Sequence, residues 1–97
     1  MATYISLLRY THQGITNLKQ APGRIDAARK AYKELGAEIK ALYLVMGQYD
    51  VVALVEAPDD TVAAKAALAI GSKGNVSTET LRAFSEDEFR KIIADLP

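Results

Sequence analysis

The residues best suited to chemistry lie in one short stretch, Gly47-Gln48-Tyr49-Asp50, between two apolar runs. Asp50 could act as a general acid or base if partial burial raises its pKa, with Tyr49 orienting a substrate oxygen. The alternative is structural, because aspartate commonly accepts backbone N–H bonds in a turn and Gly47 would supply a positive φ. Both interpretations remain open from sequence.

His12 is the only histidine, and it stands at the end of the first predicted strand, where ligands often bind. It could be a proton shuttle or a lone metal or haem ligand, or it could be a solvated loop residue. A stable non-haem metal site normally needs three or four ligands, and the chain has no cysteine and no second histidine. We therefore expect neither a metal site nor a cofactor.

Two arginines and three tyrosines are candidate ligand-binding residues. Arg9 and Arg82 lie on strands that we expect to pair, and together they could hold an anionic ligand. Their alternative role is ion pairing with a nearby carboxylate, drawn from Glu79, Glu56 and Asp50. Tyr10, Tyr32 and Tyr43 could line a pocket between sheet and helices, or they could be core or interface residues.

The elements that must position these residues follow from periodicity. Strands are predicted at residues 3–11, 38–46, 50–57 and 76–84. The second and third strands are expected to form a hairpin with a tight turn at Gly47-Gln48-Tyr49. Long helices are predicted to end near Leu35 and Ser72, and Ser85-Glu86-Asp87-Glu88 is a capping box that begins a last helix.

The order of elements is strand, helix, strand, strand, helix, strand, with one added helix. This is the split βαβ pattern of a ferredoxin-like α+β sandwich with an antiparallel four-stranded sheet. Right-handed crossovers place the first and third strands in its centre. The third strand has five consecutive apolar residues, Val51–Val55, and is predicted to be buried on both faces.

In such a fold both long helices cover one face of the sheet, so the other face needs a partner. Whichever alternating set faces the helices, a large apolar surface stays exposed, and soluble monomers rarely expose one. We predict a homodimer or a higher oligomer, with the last helix covering part of the sheet or reaching the partner. The candidates for the bare face are Tyr4, Leu8, Tyr10, Leu42, Leu44, Val52 and Leu54.

Composition sets the remaining limits. Ninety-seven residues predict a single domain, 1–97, and 49% hydrophobic against 25% charged residues is an ordinary globular composition. Twelve basic residues balance twelve acidic ones, so we expect neither a nucleic-acid partner nor a membrane surface. No signal peptide or membrane-spanning run is visible, and we predict a cytoplasmic protein.

The hairpin and its surroundings resemble a known family. Gly47-Gln48-Tyr49-Asp50, continued by Val51–Asp60, is similar to the GYD domain family, which is named for its Gly/Tyr/Asp motif. Tyr4–Leu7, Gly74-Asn75-Val76 and Thr78–Phe84 support the resemblance, which spans essentially the whole chain. It implies a dimeric α/β barrel, a group of folds that includes isomerases, small monooxygenases, haem-binding enzymes and ligand-sensing domains.

Two functional hypotheses follow. The first is a small-molecule-binding or regulatory domain, with a tyrosine-lined pocket gated by His12 and Tyr49-Asp50. The second is a cofactor-independent isomerase or monooxygenase in which Asp50 or His12 transfers a proton. Another candidate is excluded: Gly71-Ser72-Lys73-Gly74 follows a predicted helix, whereas a phosphate-binding loop precedes one.

Overall fold

The computed structural model describes residues 1–97. Its α-helices and strands are, in chain order, β1 (Ala2–Tyr10), α1 (His12–Thr16), α2 (Ala21–Glu34), β2 (Glu38–Leu44), β3 (Val51–Ala57), α3 (Asp60–Gly71), β4 (Val76–Ala83) and α4 (Glu86–Ala94). A short 3-10 helix, Leu18–Gln20, joins α1 to α2.

The four strands form one antiparallel sheet in the order β2-β3-β1-β4. Helix α2 connects β1 to β2 and α3 connects β3 to β4, and both pack on the same face of the sheet. This confirms the ferredoxin-like α+β prediction and the central placement of β1 and β3.

Strand register assigns each residue to one of two faces. On the face that the helices cover, Ser6 of β1 stands opposite Ala53 of β3. On the other face, here called the open face, Ile5 stands opposite Leu54 on one side and Leu81 on the other. Of the seven candidates for the bare face, two are on it, Val52 and Leu54. The other five are on the helix side: Tyr4, Leu8, Tyr10, Leu42 and Leu44.

Burial of β3 differs from the sequence prediction. Val51, Ala53, Val55 and Ala57 are buried under the helices, whereas Leu54 keeps 36% of its surface exposed on the open face. Burial on both faces is therefore wrong for the single chain, because no helix of the chain covers the open face.

Small residues bring α3 close to the sheet. Ala63 and Ala66 of α3 are buried against the core, as the alanine stripe of this helix predicts. Asp59 caps α3 by accepting the backbone N–H of Val62 at 2.9 Å. The Tyr4 hydroxyl, beneath the first turn, donates to Asp60 Oδ1 at 2.5 Å and ties β1 to the helix start.

The β2–β3 connection is a six-residue loop, 45–50, and not the tight turn predicted. The Val45 N–H donates to the Asp50 carbonyl at 2.9 Å and closes the loop, and Gly47 has φ +120°. The Asp50 N–H also donates to the Leu8 carbonyl of β1 at 2.9 Å, so the backbone of Asp50 bonds the end of the loop to β1.

Helix α1 begins earlier than the sequence indicates. The sequence predicts a turn at residues 12–14 and helical structure only from Ile15. The structure instead starts the helix at His12, because the Thr11 hydroxyl accepts the Gly14 N–H at 3.1 Å as an N-cap.

Helix α4 extends beyond the sheet. Its capping box is confirmed: Ser85 Oγ accepts the Glu88 N–H at 3.1 Å, and Glu88 Oε1 accepts the Ser85 N–H at 2.9 Å. These bonds hold the pKa of Glu88 below its usual value. The apolar residues of this helix and its end remain 44–60% exposed: Phe89, Ile92, Ile93 and Leu96.

The projecting helix makes the chain elongated. Its extents are 51 × 31 × 18 Å and its radius of gyration is 14.6 Å, against about 12–13 Å for a compact domain of this length. None of the helices is both long enough and apolar enough to cross a bilayer.

Candidate functional site

An apolar cavity lies between the helix-covered face of the sheet and helices α2 and α3. Its volume is about 170 Å³, and fifteen of its nineteen lining residues are hydrophobic. Alanines of both helices form much of the wall, including Ala28, Ala31 and Ala69. Because alanine side chains end at Cβ, they leave room above the larger sheet residues Leu8 and Leu42.

The charged and amide residues among the lining residues lie together at one end of the cavity, which we call the mouth. The mouth consists of Arg24, Lys73 and Asn75, close to α1. Gln13 Nε2 donates to the Lys73 carbonyl at 3.1 Å and to Asn75 Oδ1 at 3.0 Å. Arg24 donates to the Gly14 carbonyl at 3.3 Å. Helix α1 thus holds all three mouth residues together.

Gly14 makes this arrangement sterically tight. The residue is buried, and a Cβ built on it would stand 2.0 Å from the Asn75 carbonyl oxygen. That oxygen also accepts the Thr11 N–H at 3.0 Å, which joins the end of β1 to the loop before β4. Only glycine fits here without displacing the backbone of the mouth.

Two hydroxyl groups lie within the cavity wall. Ser6 is only 4% exposed and Tyr32 5% exposed, and the side-chain hydrogen bonds of the structure include none to either hydroxyl. No fully buried side-chain N or O atom of the structure lacks a hydrogen-bond partner, so both hydroxyl oxygens keep some accessible surface. Burial raises the pKa of Tyr32, so its hydroxyl stays protonated.

Asp50 has a structural position outside the cavity. Its Oδ2 accepts the Tyr10 N–H at 2.9 Å, and its backbone binds β1 and the end of β2. The neighbouring Tyr49 donates to Glu79 Oε2 at 2.5 Å, a bond that raises the pKa of Tyr49. Together they join the β2–β3 loop to β1 and β4, which is the structural alternative considered above.

His12 is exposed at the first position of α1, and it does not line the cavity. Of the three tyrosines expected in a pocket, Tyr10 and Tyr32 line it. Tyr43 does not, because it pairs with Val52 on the open face, where it is 59% exposed. The expected gate of His12 and Tyr49-Asp50 is therefore not beside the cavity.

Arg9 and Arg82 are not brought together, which corrects the expectation of a shared anion site. Arg9 pairs with Ser77 at one end of β1, and Arg82 pairs with Tyr4 toward the other. Since adjacent positions of a strand alternate between faces, the two side chains also leave opposite faces of the sheet.

Each arginine is bound locally. Arg9 lies over the Tyr49 ring, 4.7 Å from its centroid, and its Nε donates to the Gln48 carbonyl at 2.6 Å. Arg82 lies 4.5 Å from the Phe84 ring centroid and donates to the Ala83 carbonyl. Neither forms an ion pair with Glu79, Glu56 or Asp50.

Sequence reasoning missed Ser6, Arg24, Lys73 and Asn75. The alternation of β1 places Ser6 on the same side as Tyr4 and Leu8, so a signal for its burial was present. Nothing in the sequence brings Arg24 and Lys73 together, because forty-eight intervening residues separate them and only the packing of α1 joins them.

Comparison with known proteins agrees with these features. The family model described as GYD domain matches residues 4–93. The chain belongs to the GYD domain family. In this member Tyr49 and Asp50 bond the β2–β3 loop to the sheet, and Gly47 supplies a positive φ within the loop.

Two similar proteins come from Thermus thermophilus. A protein named "Glutamine synthetase and cystathionine beta-lyase binding protein" is 38% identical over 84 residues, which cover 86% of this chain and 88% of the relative. The crystal structure of TTHA0845 is similar with a TM-score of 0.57 and 32% identity, covering 88% of this chain and 95% of that one.

Proposed function

We propose that this GYD domain is a regulatory binding domain that holds a small molecule between the sheet and helices α2 and α3. The observation that carries the proposal is the apolar cavity of about 170 Å³, with Ser6 in its wall and no hydrogen bond from the protein to the Ser6 hydroxyl. Its volume is close to that of an apolar cavity of about 150 Å³ that binds benzene. A ligand with one ring or a short branched chain matches it.

The lining of the cavity favours binding over proton-transfer catalysis. None of its residues is aspartate, glutamate or histidine, so neither Asp50 nor His12, the proton-transfer groups of the enzyme hypothesis, lines it. The carboxylate of Asp50 accepts the Tyr10 N–H. The isomerase or monooxygenase hypothesis therefore has no supporting arrangement at the cavity.

A regulatory role through protein partners agrees with the name of the Thermus relative, which describes binding to two enzymes and no reaction of its own. Under this proposal the domain contacts a partner enzyme, and occupancy of the cavity alters that contact. A cytoplasmic location, expected from the sequence, is part of the proposal.

Self-association is the second part of the proposal. The open face exposes Leu54 and Tyr43, and α4 presents Phe89 and Ile92 to solvent. Both surfaces belong to one chain, so a two-fold dimer can cover both at once. Sheets stacked through their open faces would form the dimeric α/β barrel. Sedimentation velocity of the wild-type chain at micromolar concentration should give about twice the 10.5 kDa chain mass.

The cavity can be tested with benzene as a probe. We expect millimolar benzene to shift the amide resonances of Ser6, Ala53 and Ala69 in ¹⁵N-correlated NMR spectra and to leave those of Tyr43 unchanged. Ala28→Leu should abolish the shifts by filling the cavity from α2, and Ala69→Leu should do the same from α3.

Ala64→Leu is the matched control, because Ala64 is exposed on α3 and does not line the cavity. This variant should bind benzene like the wild type. Far-ultraviolet circular dichroism reports whether each variant is folded. Absence of benzene shifts in the folded wild type would overturn the small-molecule proposal.

A further inference from the structure

We infer that the ligand of this cavity is a small amphipathic acid, with an apolar body and a carboxylate held at the mouth. The inference rests on the proposed function and adds the chemical class of the ligand. Charge is its first support: two cationic residues, Arg24 and the exposed Lys73, are among the lining residues of the cavity, and no acidic residue is.

These two positive charges are not neutralised within the chain. The ion pairs of the structure join Lys40 to Glu38 and Glu56, and Arg90 to Glu86. Arg24 binds only the carbonyl oxygens of Asn17, at 2.9 Å, and Gly14. A ligand carboxylate would supply the missing counter-charge and accept charge-assisted hydrogen bonds.

The distribution of polar groups sets the ligand's orientation. Arg24, Lys73 and Asn75 lie beside α1 at the end of β1, whereas Ser6 lies in the middle of that strand, opposite Ala53 and Thr80. A carboxylate at the mouth would leave the body of the ligand against the alanines. A hydroxyl on its inner end could then bond to Ser6, whose hydroxyl has no protein partner.

A suitable probe is 3-(4-hydroxyphenyl)propionate, which has one ring, an inner hydroxyl and an outer carboxylate. Its neutral amide, 3-(4-hydroxyphenyl)propanamide, has nearly the same shape without the charge. Isothermal titration calorimetry should give at least about tenfold tighter binding for the acid at low salt. The preference should shrink at about 0.5 M NaCl, because salt screens the exposed charges at the mouth.

Two variants separate the contributions of the charge and of the hydroxyl. Lys73→Ala should weaken binding of the acid about fivefold to tenfold and leave the amide unchanged. Ser6→Ala should weaken both about equally, since each compound carries the inner hydroxyl. Lys65→Ala is the control, because it removes the same charge from an exposed position of α3 outside the cavity.

The outcomes distinguish this inference from the proposed function. If benzene binds but the acid binds no more tightly than the amide, the proposed ligand class is wrong. The proposal of a small-molecule-binding domain is then unaffected. If Lys65→Ala weakens binding of the acid as much as Lys73→Ala does, the preference for the acid over the amide reflects general surface charge. The inference is then also wrong. If neither benzene nor either compound binds the folded chain, both proposals fail.

Discussion

The two faces of the sheet differ in what their side chains do. On the helix-covered face, alanines and buried hydroxyls enclose a cavity with two uncompensated cations at its mouth. On the open face, large apolar side chains are exposed, and the Arg9, Tyr49 and Glu79 side chains bind one another or the adjoining loop.

The family signature has a structural role in this chain, and the proposed ligand site lies elsewhere. The Gly47-Tyr49-Asp50 signature stands where the β2–β3 loop must be fastened to β1 and β4, and its polar atoms are used for that purpose. The groups left without protein partners, Ser6 and Lys73 among them, belong to segments outside the signature.

The largest expected effect comes from closing the space at Gly14. In Gly14→Ala the new Cβ meets the Asn75 carbonyl oxygen, so the backbone must move and we expect a loss of about 3 kcal/mol in the free energy of unfolding. Urea denaturation of the wild type and of Gly14→Ala measures this loss.

Gly23→Ala is the control for this substitution, because nothing lies within 4 Å of a Cβ at Gly23 in α2. It should stabilise the chain by about 0.5 kcal/mol, since alanine is the better helix former. Equal effects at Gly14 and Gly23 would contradict the tight packing at the mouth.

A charge on the open face should break the dimer without unfolding the chain. Leu54→Glu would place an unpaired carboxylate in the proposed interface, and we expect a dimer at least about a hundredfold weaker, or about 2.7 kcal/mol. Sedimentation velocity across a concentration series measures the change.

Leu68→Glu introduces the same charge on α3, where Leu68 is 73% exposed, and it should leave the dimer intact. Ligand binding in the cavity of the Leu54→Glu monomer should also persist. A dimer that tolerates Leu54→Glu would show that the open face is not the interface.

Asp50→Ala tests whether the signature aspartate is structural. The substitution leaves the Tyr10 N–H without its acceptor, and we expect a loss of about 1.5 kcal/mol in the free energy of unfolding. Benzene affinity should stay near that of the wild type. Asp26→Ala in α2 is the control and should lower neither quantity. Lost binding with unchanged stability would instead assign Asp50 to the ligand site.

The smallest expected changes in stability are at two tyrosines whose hydroxyls donate to carboxylates. Tyr4 lies under the helices and Tyr49 at the surface. Tyr4→Phe should lower the free energy of unfolding by about 1 kcal/mol at neutral pH. Tyr49→Phe should cause a smaller loss, because the exposed bond competes with water. Thermal unfolding of both variants ranks them, and the reverse order would contradict the assignment of Tyr4 to the core.

The same bond makes stability depend on pH. The hydrogen bond to Asp60 raises the pKa of Tyr4 above its ordinary value, so the folded chain keeps this proton more tightly than the unfolded chain. Its stabilisation is complete below about pH 10, the unfolded value, and is lost as pH rises through the folded pKa. Unfolding measured from about pH 8 to about pH 11 should show a shallower decline for Tyr4→Phe than for the wild type.

Local chemistry made several features predictable from sequence. Hydrophobic period, the alanine stripe of α3 and the Ser85–Glu88 capping box each act over a few residues, and each is found where expected. The β2–β3 loop, which differs from the prediction, is bonded to residues distant in the chain, whereas the earlier start of α1 follows from the local Thr11 cap. Asp50 reaches back to Leu8 and Tyr10, and Asn75 accepts from Thr11 across the sheet.

The sequence by itself determined the element order, the ferredoxin-like topology, the family and the presence of more apolar sheet surface than two helices cover. Tertiary structure alone decided which face each strand residue occupies, that Arg9 and Arg82 lie apart, and that Arg24 and Lys73 share the mouth of one cavity. The reason is that periodicity is a property of neighbours along the chain. A cavity and its charges depend on the register and packing of segments far apart in it.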